Sequence, residues 1–168
     1  MHDPYRLLIV DDDESIRTAL SVLLEEEGYV VDTAGDGREA MEKSNANFYN
    51  MAIVDWRLPD IEGTALLGKF RNTTPKMIMI MLTGFPSMRN AIDSVNAKAD
   101  AYLQKPMDAE TLIDTVSKLL KQQEEDRTYS ETKVAEFIET RARELTGKIA
   151  VQNPRKQQGA GSDHVSSF

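Results

Sequence analysis

Short apolar runs, each closed by a polar or turn residue, alternate with stretches of helical spacing along this chain. Arg6–Val10, Tyr29–Ala34, Met51–Asp55, Met77–Thr83 and Ala101–Gln104 read as five strands. Runs of four to six apolar or β-branched residues bounded by turn signals suit buried, parallel strands. Between them, Asp13-Glu14-Ser15 opens a helix with Ile16, Ala19, Leu20, Leu23 and Leu24 on one face, stopped at Gly28. Asp36-Gly37-Arg38-Glu39 resembles a capping box with Asp in place of Ser or Thr, opening a helix through Ser44. Thr64–Asn72 presents Leu66, Leu67 and Phe70, and Ser87 caps a helix through Val95. Asp108 caps the next one, with Met107 and Leu112 at the positions of a hydrophobic staple and Leu112, Ile113, Val116, Leu119 and Leu120 on its apolar face. Five strands alternating with five helices predict a parallel sheet covered on both faces, with right-handed crossovers.

The pattern changes after Lys121. Gln122–Tyr129 is polar, and Ser130–Leu145 regains helical spacing through Val134, Phe137, Ile138, Ala142 and Leu145 before Gly147. Polar positions such as Gln123 and Arg127 interrupt the seam, so a separate or kinked helix is expected, ending at Gly147. It could pack on the first domain, pair with a second copy, or bind another protein. Asn153 to Phe168 is rich in Gln, Gly and Ser and is expected to be disordered. The domain reading is therefore 1–122 for the α/β unit, 123–152 for a helical extension and 153–168 for a tail.

Composition narrows the chemistry. The 168 residues contain no cysteine, which excludes disulfides, thiolate metal sites and cysteine nucleophiles. The two histidines, His2 and His164, lie near the ends of the chain, which disfavours a histidine relay or a zinc site. The longest apolar run, Met77 to Leu82, is too short for a bilayer, and no signal peptide is legible, so a cytoplasmic protein is expected. From Lys121 onward eight basic residues balance eight acidic ones. The remaining 12 basic and 20 acidic residues, of totals 20 and 28, put the whole net charge of −8 on the first 120 residues. That balance disfavours direct binding to nucleic acid and suits a cation or a basic protein surface.

The candidate chemistry sits where strands end. Asp55 closes the third strand, Asp11 and Asp12 follow the first, Thr83 closes the fourth, and Lys105 follows the fifth. Open α/β sheets place their ligands at the carboxyl ends of strands. A capping or turn-initiating aspartate looks the same locally; the distinguishing feature is that polar residues close four strands in turn. Carboxylates brought together repel by several kcal/mol (about 4 kcal/mol for a pair about 4 Å apart at an effective dielectric of about 20), and so call for a counter-charge. Oxygen donors without histidine or cysteine favour Mg²⁺.

On the stretches Leu7–Asp13 (LLIVDDD), Ile53–Gly63 (IVDWRLPDIEG), Ile80–Gly84 (IMLTG) and Ala101–Pro106 (AYLQKP), the chain resembles the receiver domain of two-component response regulators, over about residues 5–122. The resemblance implies a flavodoxin-like doubly wound sheet of order 2-1-3-4-5 with five helices. It implies that Asp55 is the phosphoacceptor for a sensor histidine kinase or phosphotransfer protein. Asp12 would then bind Mg²⁺ directly, with Asp11 assisting and with Asp55 and the backbone carbonyl of Arg57 as further ligands. Lys105 would pair with Asp55, Thr83 would donate its hydroxyl to the phosphoryl group, and Tyr102 would swing inward. The Lys105–Pro106 bond would be cis. Such a protein catalyses only its own phosphorylation and dephosphorylation and signals to a downstream protein, with a second copy of itself as a further candidate partner.

Two features depart from the common pattern: Lys98-Ala99 stands where many receivers have Gly-Ala, and Arg57 and Phe85 are bulky. Two rival readings remain: a receiver-like adaptor that is never phosphorylated, and a phosphatase that forms an aspartyl phosphate. The latter would carry a second Asp where this chain has Arg57.

Overall fold

The computed structural model describes residues 3–74, 76–84, 93 and 98–152, the last four of them by backbone alone. In chain order the elements are β1 (Arg6–Val10), α1 (Glu14–Glu26), β2 (Val30–Ala34), α2 (Gly37–Ala46), β3 (Met51–Asp55), α3 (Gly63–Thr73), β4 (Ile78–Thr83), β5 (Ala101–Gln104) and α4 (Ala109–Gln152). The five strands form one parallel sheet in the order β2-β1-β3-β4-β5. The helix expected over Ser87–Val95 falls outside the described residues, as does the tail after Gln152.

Period-two alternation of the strands sorts the core into two layers. Leu8, Val10, Ala52, Val54, Met79 and Met81 face Ala40 of α2 and Leu66, Leu67 and Phe70 of α3. Leu7, Ile9, Met51, Ile53, Ile80 and Leu82 face Leu24 of α1 and Leu112, Val116 and Leu120 of α4. Because both faces are covered, β3 and β4 are buried at every position, which is why they are continuous apolar runs in the sequence. Edge strand β2 is only half-buried, and its Val30 is exposed.

Local signals set the ends of the helices. Asp13 caps α1, its Oδ1 accepting the N–H groups of Ser15 at 2.9 Å and Ile16 at 3.3 Å. Gly28 ends the same helix at φ +94°, a conformation that costs other residues about 1–2 kcal/mol. Leu20 and Leu23 pack partly buried beside Leu24, whereas Ala19, at the margin of the stripe, is exposed. Asp36 caps α2 by accepting the Glu39 N–H at 2.8 Å. The return bond of the capping box goes one residue further back than the pattern predicts, from the Gly35 N–H to Glu39 Oε2 at 2.9 Å. Asp108 accepts the Thr111 N–H, and Met107 packs with Leu112 as the staple requires.

The expectation of a separate appended helix ending at Gly147 is not met. α4 is a single helix from Ala109 to Gln152 and passes through Gly147. No Gly or Pro occurs between Ala109 and Thr146, so nothing in that stretch forces a break. Ion pairs one turn apart, Arg127–Glu124, Lys133–Glu136, Arg141–Glu144 and Arg143–Glu139, support its polar length. Gly147 costs about 1 kcal/mol inside a helix, which is a penalty and not a stop signal. By internal contacts the chain forms two units, Met1–Gln122 and Gln123–Phe168.

Lys98 occupies the turn before β5 with φ +61°, the left-handed conformation that glycine adopts freely. A guanidinium from α3 holds the turn in place: Arg71 donates to the Lys98 carbonyl, to Asp100 Oδ2 at 3.0 Å and to the Met77 carbonyl at 3.3 Å. Asp100 Oδ2 in turn accepts the Met79 N–H at 2.8 Å, which ties the start of β5 to β4.

Candidate functional site

The sheet register brings the polar strand ends together. β1 and β3 are neighbours, with Val10 opposite Val54, so the residues that follow, Asp11 and Asp55, meet at one end of the sheet. β4 lies on the other side of β3 with Leu82 opposite Asp55, and β5 pairs Thr83 with Gln104, one residue before Lys105. The Lys105 N–H donates to the Thr83 carbonyl at 2.6 Å, which fixes where the lysine side chain leaves the backbone. The Lys105–Pro106 bond is cis.

Asp11, Asp12 and Asp55 each offer a carboxylate oxygen, and these three oxygens lie within 4.8 Å of one another. Lys105 reaches into the group: its Nζ is 2.5 Å from Asp11 Oδ2 and 3.4 Å from Asp55 Oδ1. The ammonium thus sits closer to Asp11 than to Asp55, the partner that the resemblance implies. Asp11 is 1% exposed and held from three directions. Its Oδ2 accepts from Lys105, its Oδ1 from the Asp13 N–H at 3.0 Å, and its backbone carbonyl from Arg17 at 2.7 Å. Asp12 is exposed, and Asp55 is 8% exposed.

Burial pushes the Asp55 carboxyl above the ordinary range, the neighbouring charge of Asp11 adds to the rise, and Lys105 opposes it. Burial disfavours the Lys105 cation, but the hydrogen bond and charge of Asp11, followed by Asp55, outweigh it and hold the ammonium above its ordinary value. Among the described residues Lys105 is the cation that pairs with these carboxylates, which leaves the three acids of the pocket short of positive charge. Its donor set consists of carboxylate oxygens without imidazole or thiolate, which fits a hard divalent cation of the Mg²⁺ kind.

Thr83 is buried at the rim of this pocket. Tyr102, opposite Met81 across the β4–β5 pair, packs partly buried against the α2 and α3 layer. Its phenolic oxygen is enclosed and makes no hydrogen bond among the described residues. Arg57 is exposed and pairs with Glu62 in an isolated antiparallel bridge, which folds the segment after Asp55 back on itself. The side chain of Phe85 lies outside the described residues.

Three residues that position this segment are not identifiable from spacing. Gly63 approaches so closely that a Cβ there would lie 2.3 Å from the Asp55 carbonyl oxygen, and its N–H donates to the Trp56 carbonyl at 2.8 Å. Asp60 crosses to the start of α2 and accepts the N–H groups of Gly37 and Arg38, both at 2.9 Å. Gly37 makes room for this, because a Cβ there would meet Ile61 at 2.2 Å. The Pro59-Asp60 dipeptide signals a turn, but which helix its carboxylate would cap depends on two loops meeting in space.

Comparisons with known proteins find one family by sequence and one fold by structure. The family model for the response regulator receiver domain matches residues 7–117. A CheY-like receiver domain protein from Methanospirillum hungatei JF-1 is 41% identical with a TM-score of 0.72, over 74% of this chain and 99% of that one. The beryllofluoride-activated NtrC4 receiver domain dimer is 34% identical with a TM-score of 0.67, over 70% of this chain and 98% of that one. Among curated relatives, the transcriptional regulatory protein ZraR of Escherichia coli K12 is 33% identical over 119 residues, 71% of this chain. The matched region spans 27% of the length of ZraR. No helix among the described residues is long and apolar enough to cross a membrane.

Proposed function

The chain belongs to the family of response regulator receiver domains, and from that premise we propose that it is a phosphorylation-dependent switch with Asp55 as its phosphoacceptor. The observation that carries this reading is the Lys105 ammonium between the buried carboxylates of Asp11 and Asp55, at 2.5 and 3.4 Å. A sensor histidine kinase or a phosphotransfer protein supplies the phosphoryl group. A carboxylate oxygen of Asp55 attacks phosphorus, the O–P bond forms as the N–P bond breaks, and the electron pair leaves with the imidazole. Phosphoryl transfer asks the protein mainly for positioning and charge neutralisation. Lys105 neutralises the transferring oxygens from one side, and the Thr83 hydroxyl donates to them from β4. Asp11 and Asp12, with Asp55 and the Arg57 carbonyl, would hold Mg²⁺, which neutralises developing phosphoryl charge when bound. The protein catalyses only the gain and loss of its own phosphoryl group.

The output passes through contacts made in only one of two states. Thr83 and Tyr102 lie near the pocket on neighbouring strands β4 and β5, and the phenol of Tyr102, without a hydrogen bond among the described residues, is a group for which a second position is energetically accessible. A downstream protein reads that difference.

Incubation with acetyl phosphate and Mg²⁺ followed by intact-mass measurement tests the reading. The expected result is one added phosphoryl group in the parent chain and none in Asp55→Asn. Full labelling of Asp55→Asn would falsify the assignment, and no labelling of the parent chain would favour a binding-only adaptor.

A further inference from the structure

The polar site accounts for one end of the sheet, but not for an apolar stretch that α4 exposes. Four large side chains within twelve positions of α4 are exposed: Val134 at 58%, Phe137 at 63%, Ile138 at 61% and Leu145 at 60%. Scattered exposed apolar residues need no explanation, but several on one stretch of a single helix mark an interaction surface. Ala135, Ile138, Ala142 and Leu145 follow one another at steps of three, four and three, the spacing of a two-helix seam.

The charges beside the seam decide what kind of partner fits it. The two charged residues that border it, Arg141 and Glu139, are already paired along their own helix, with Glu144 at 3.0 Å and with Arg143 at 2.5 Å. Arg141 also lies over the ring of Phe137, 5.8 Å from its centroid. A different protein would gain specificity from unmatched rim charges of opposite sign, and these rim charges are already matched. What remains is an apolar strip with a self-neutralised border, which suits a surface carrying the same pattern.

We propose that α4 pairs with α4 of a second copy, parallel and in register, along Ala135, Ile138, Ala142 and Leu145. In that arrangement Ile138 meets Ile138 and Leu145 meets Leu145, while the alanine layers at Ala135 and Ala142 let the two helices approach closely. An antiparallel pairing centred on the same residues brings Arg141 against Arg141 and Glu139 against Glu139, whereas the parallel one sets them beside Thr146 and Val134. The pairing also gives this stretch the buried face that a helix of its length needs for stability. It is independent of the phosphoacceptor reading.

Sedimentation velocity of the full chain from low to high micromolar concentration should show a concentration-dependent dimer. Ile138→Asp with Leu145→Asp should abolish the dimer while the variant keeps the circular dichroism of the α/β unit and its labelling by acetyl phosphate. The chain has no cysteine of its own, so a single introduced one reports proximity. Ala142→Cys should cross-link to a covalent dimer under mild oxidation, and Thr140→Cys, on the opposite side of the helix, should not. A chain that stays monomeric throughout, a dimer that survives the double Asp variant, or equal cross-linking at the two positions would each overturn the proposal.

Discussion

A single carboxylate, Asp60, shows how much a residue outside the acidic pocket does for it. It closes the segment that begins at Asp55 by accepting two N–H groups at the start of α2. These are groups that no backbone carbonyl inside the helix can satisfy. The Gly37 N–H holds the carboxyl of Asp60 below its ordinary range, against a small opposing effect of burial, and the Arg38 N–H adds to the depression. Replacement of a helix-capping carboxylate by alanine costs about 1 kcal/mol, and exposure puts Asp60 toward the low end of that scale. Because the folded-state value is depressed, the contribution is present above the unfolded-state value of about 4. It is lost as pH falls through the folded-state value. Asp60→Ala should therefore lower the urea midpoint at pH 7, and its difference from the parent chain should shrink toward nothing at strongly acid pH. A difference that persists unchanged in acid would mean that the carboxylate acts by shape and not by charge.

At the scale of elements, the connection into β5 carries a cost that its neighbours offset. Lys98 adopts φ +61°, and Arg71 of α3 holds the Lys98 carbonyl and Asp100 in place. A non-glycine residue in this conformation is strained by about 1–2 kcal/mol, and glycine surrenders part of that gain as extra chain entropy in the unfolded state. Lys98→Gly should stabilise the protein by up to about 1 kcal/mol, read as a higher urea midpoint with an unchanged slope. A loss of stability would show that the lysine side chain contributes more than its backbone conformation costs. α4 illustrates the opposite balance: its ion pairs and lack of breakers carry it through a stretch without core residues and through Gly147.

At the scale of the whole molecule, two apolar layers stabilise the sheet while the cluster at its end works against them. Asp11 and Asp55 are buried beside each other with one shared ammonium. Like charges about 4 Å apart repel by about 4 kcal/mol at an effective dielectric of about 20, and attraction to Lys105 cancels much of this. Asp55→Asn keeps the shape and removes one charge, so without divalent cations it should raise the unfolding free energy by about 1 kcal/mol. Added Mg²⁺ should narrow that gap, because an ion held only by the folded parent chain stabilises it by mass action. Thermal melts of the two proteins with and without MgCl₂ would check both statements. A parent chain more stable than Asp55→Asn in the absence of metal would show that Lys105 already over-compensates the acids.

The strand positions, the two-sided burial of β3 and β4 and the caps at Asp13, Asp36 and Asp108 were all legible in the linear pattern, because each depends on residues a few positions apart. So were the acids, the threonine and the lysine that close the strands, since period-two runs show where a strand ends. The motif resemblance supplied the strand order. Tertiary structure decided what depends on distant segments meeting: that Lys105 lies closer to Asp11 than to Asp55, that Asp60 caps α2, and that Gly63 and Gly37 are needed for close approach. It also decided the turn at Lys98, where Arg71 from another element holds a conformation that local preference disfavours. The continuity of α4 lay between the two. Its ion-pair spacing is visible in the sequence, but an interrupted apolar seam looks like an interrupted helix, whereas backbone hydrogen bonding needs only the absence of a breaker.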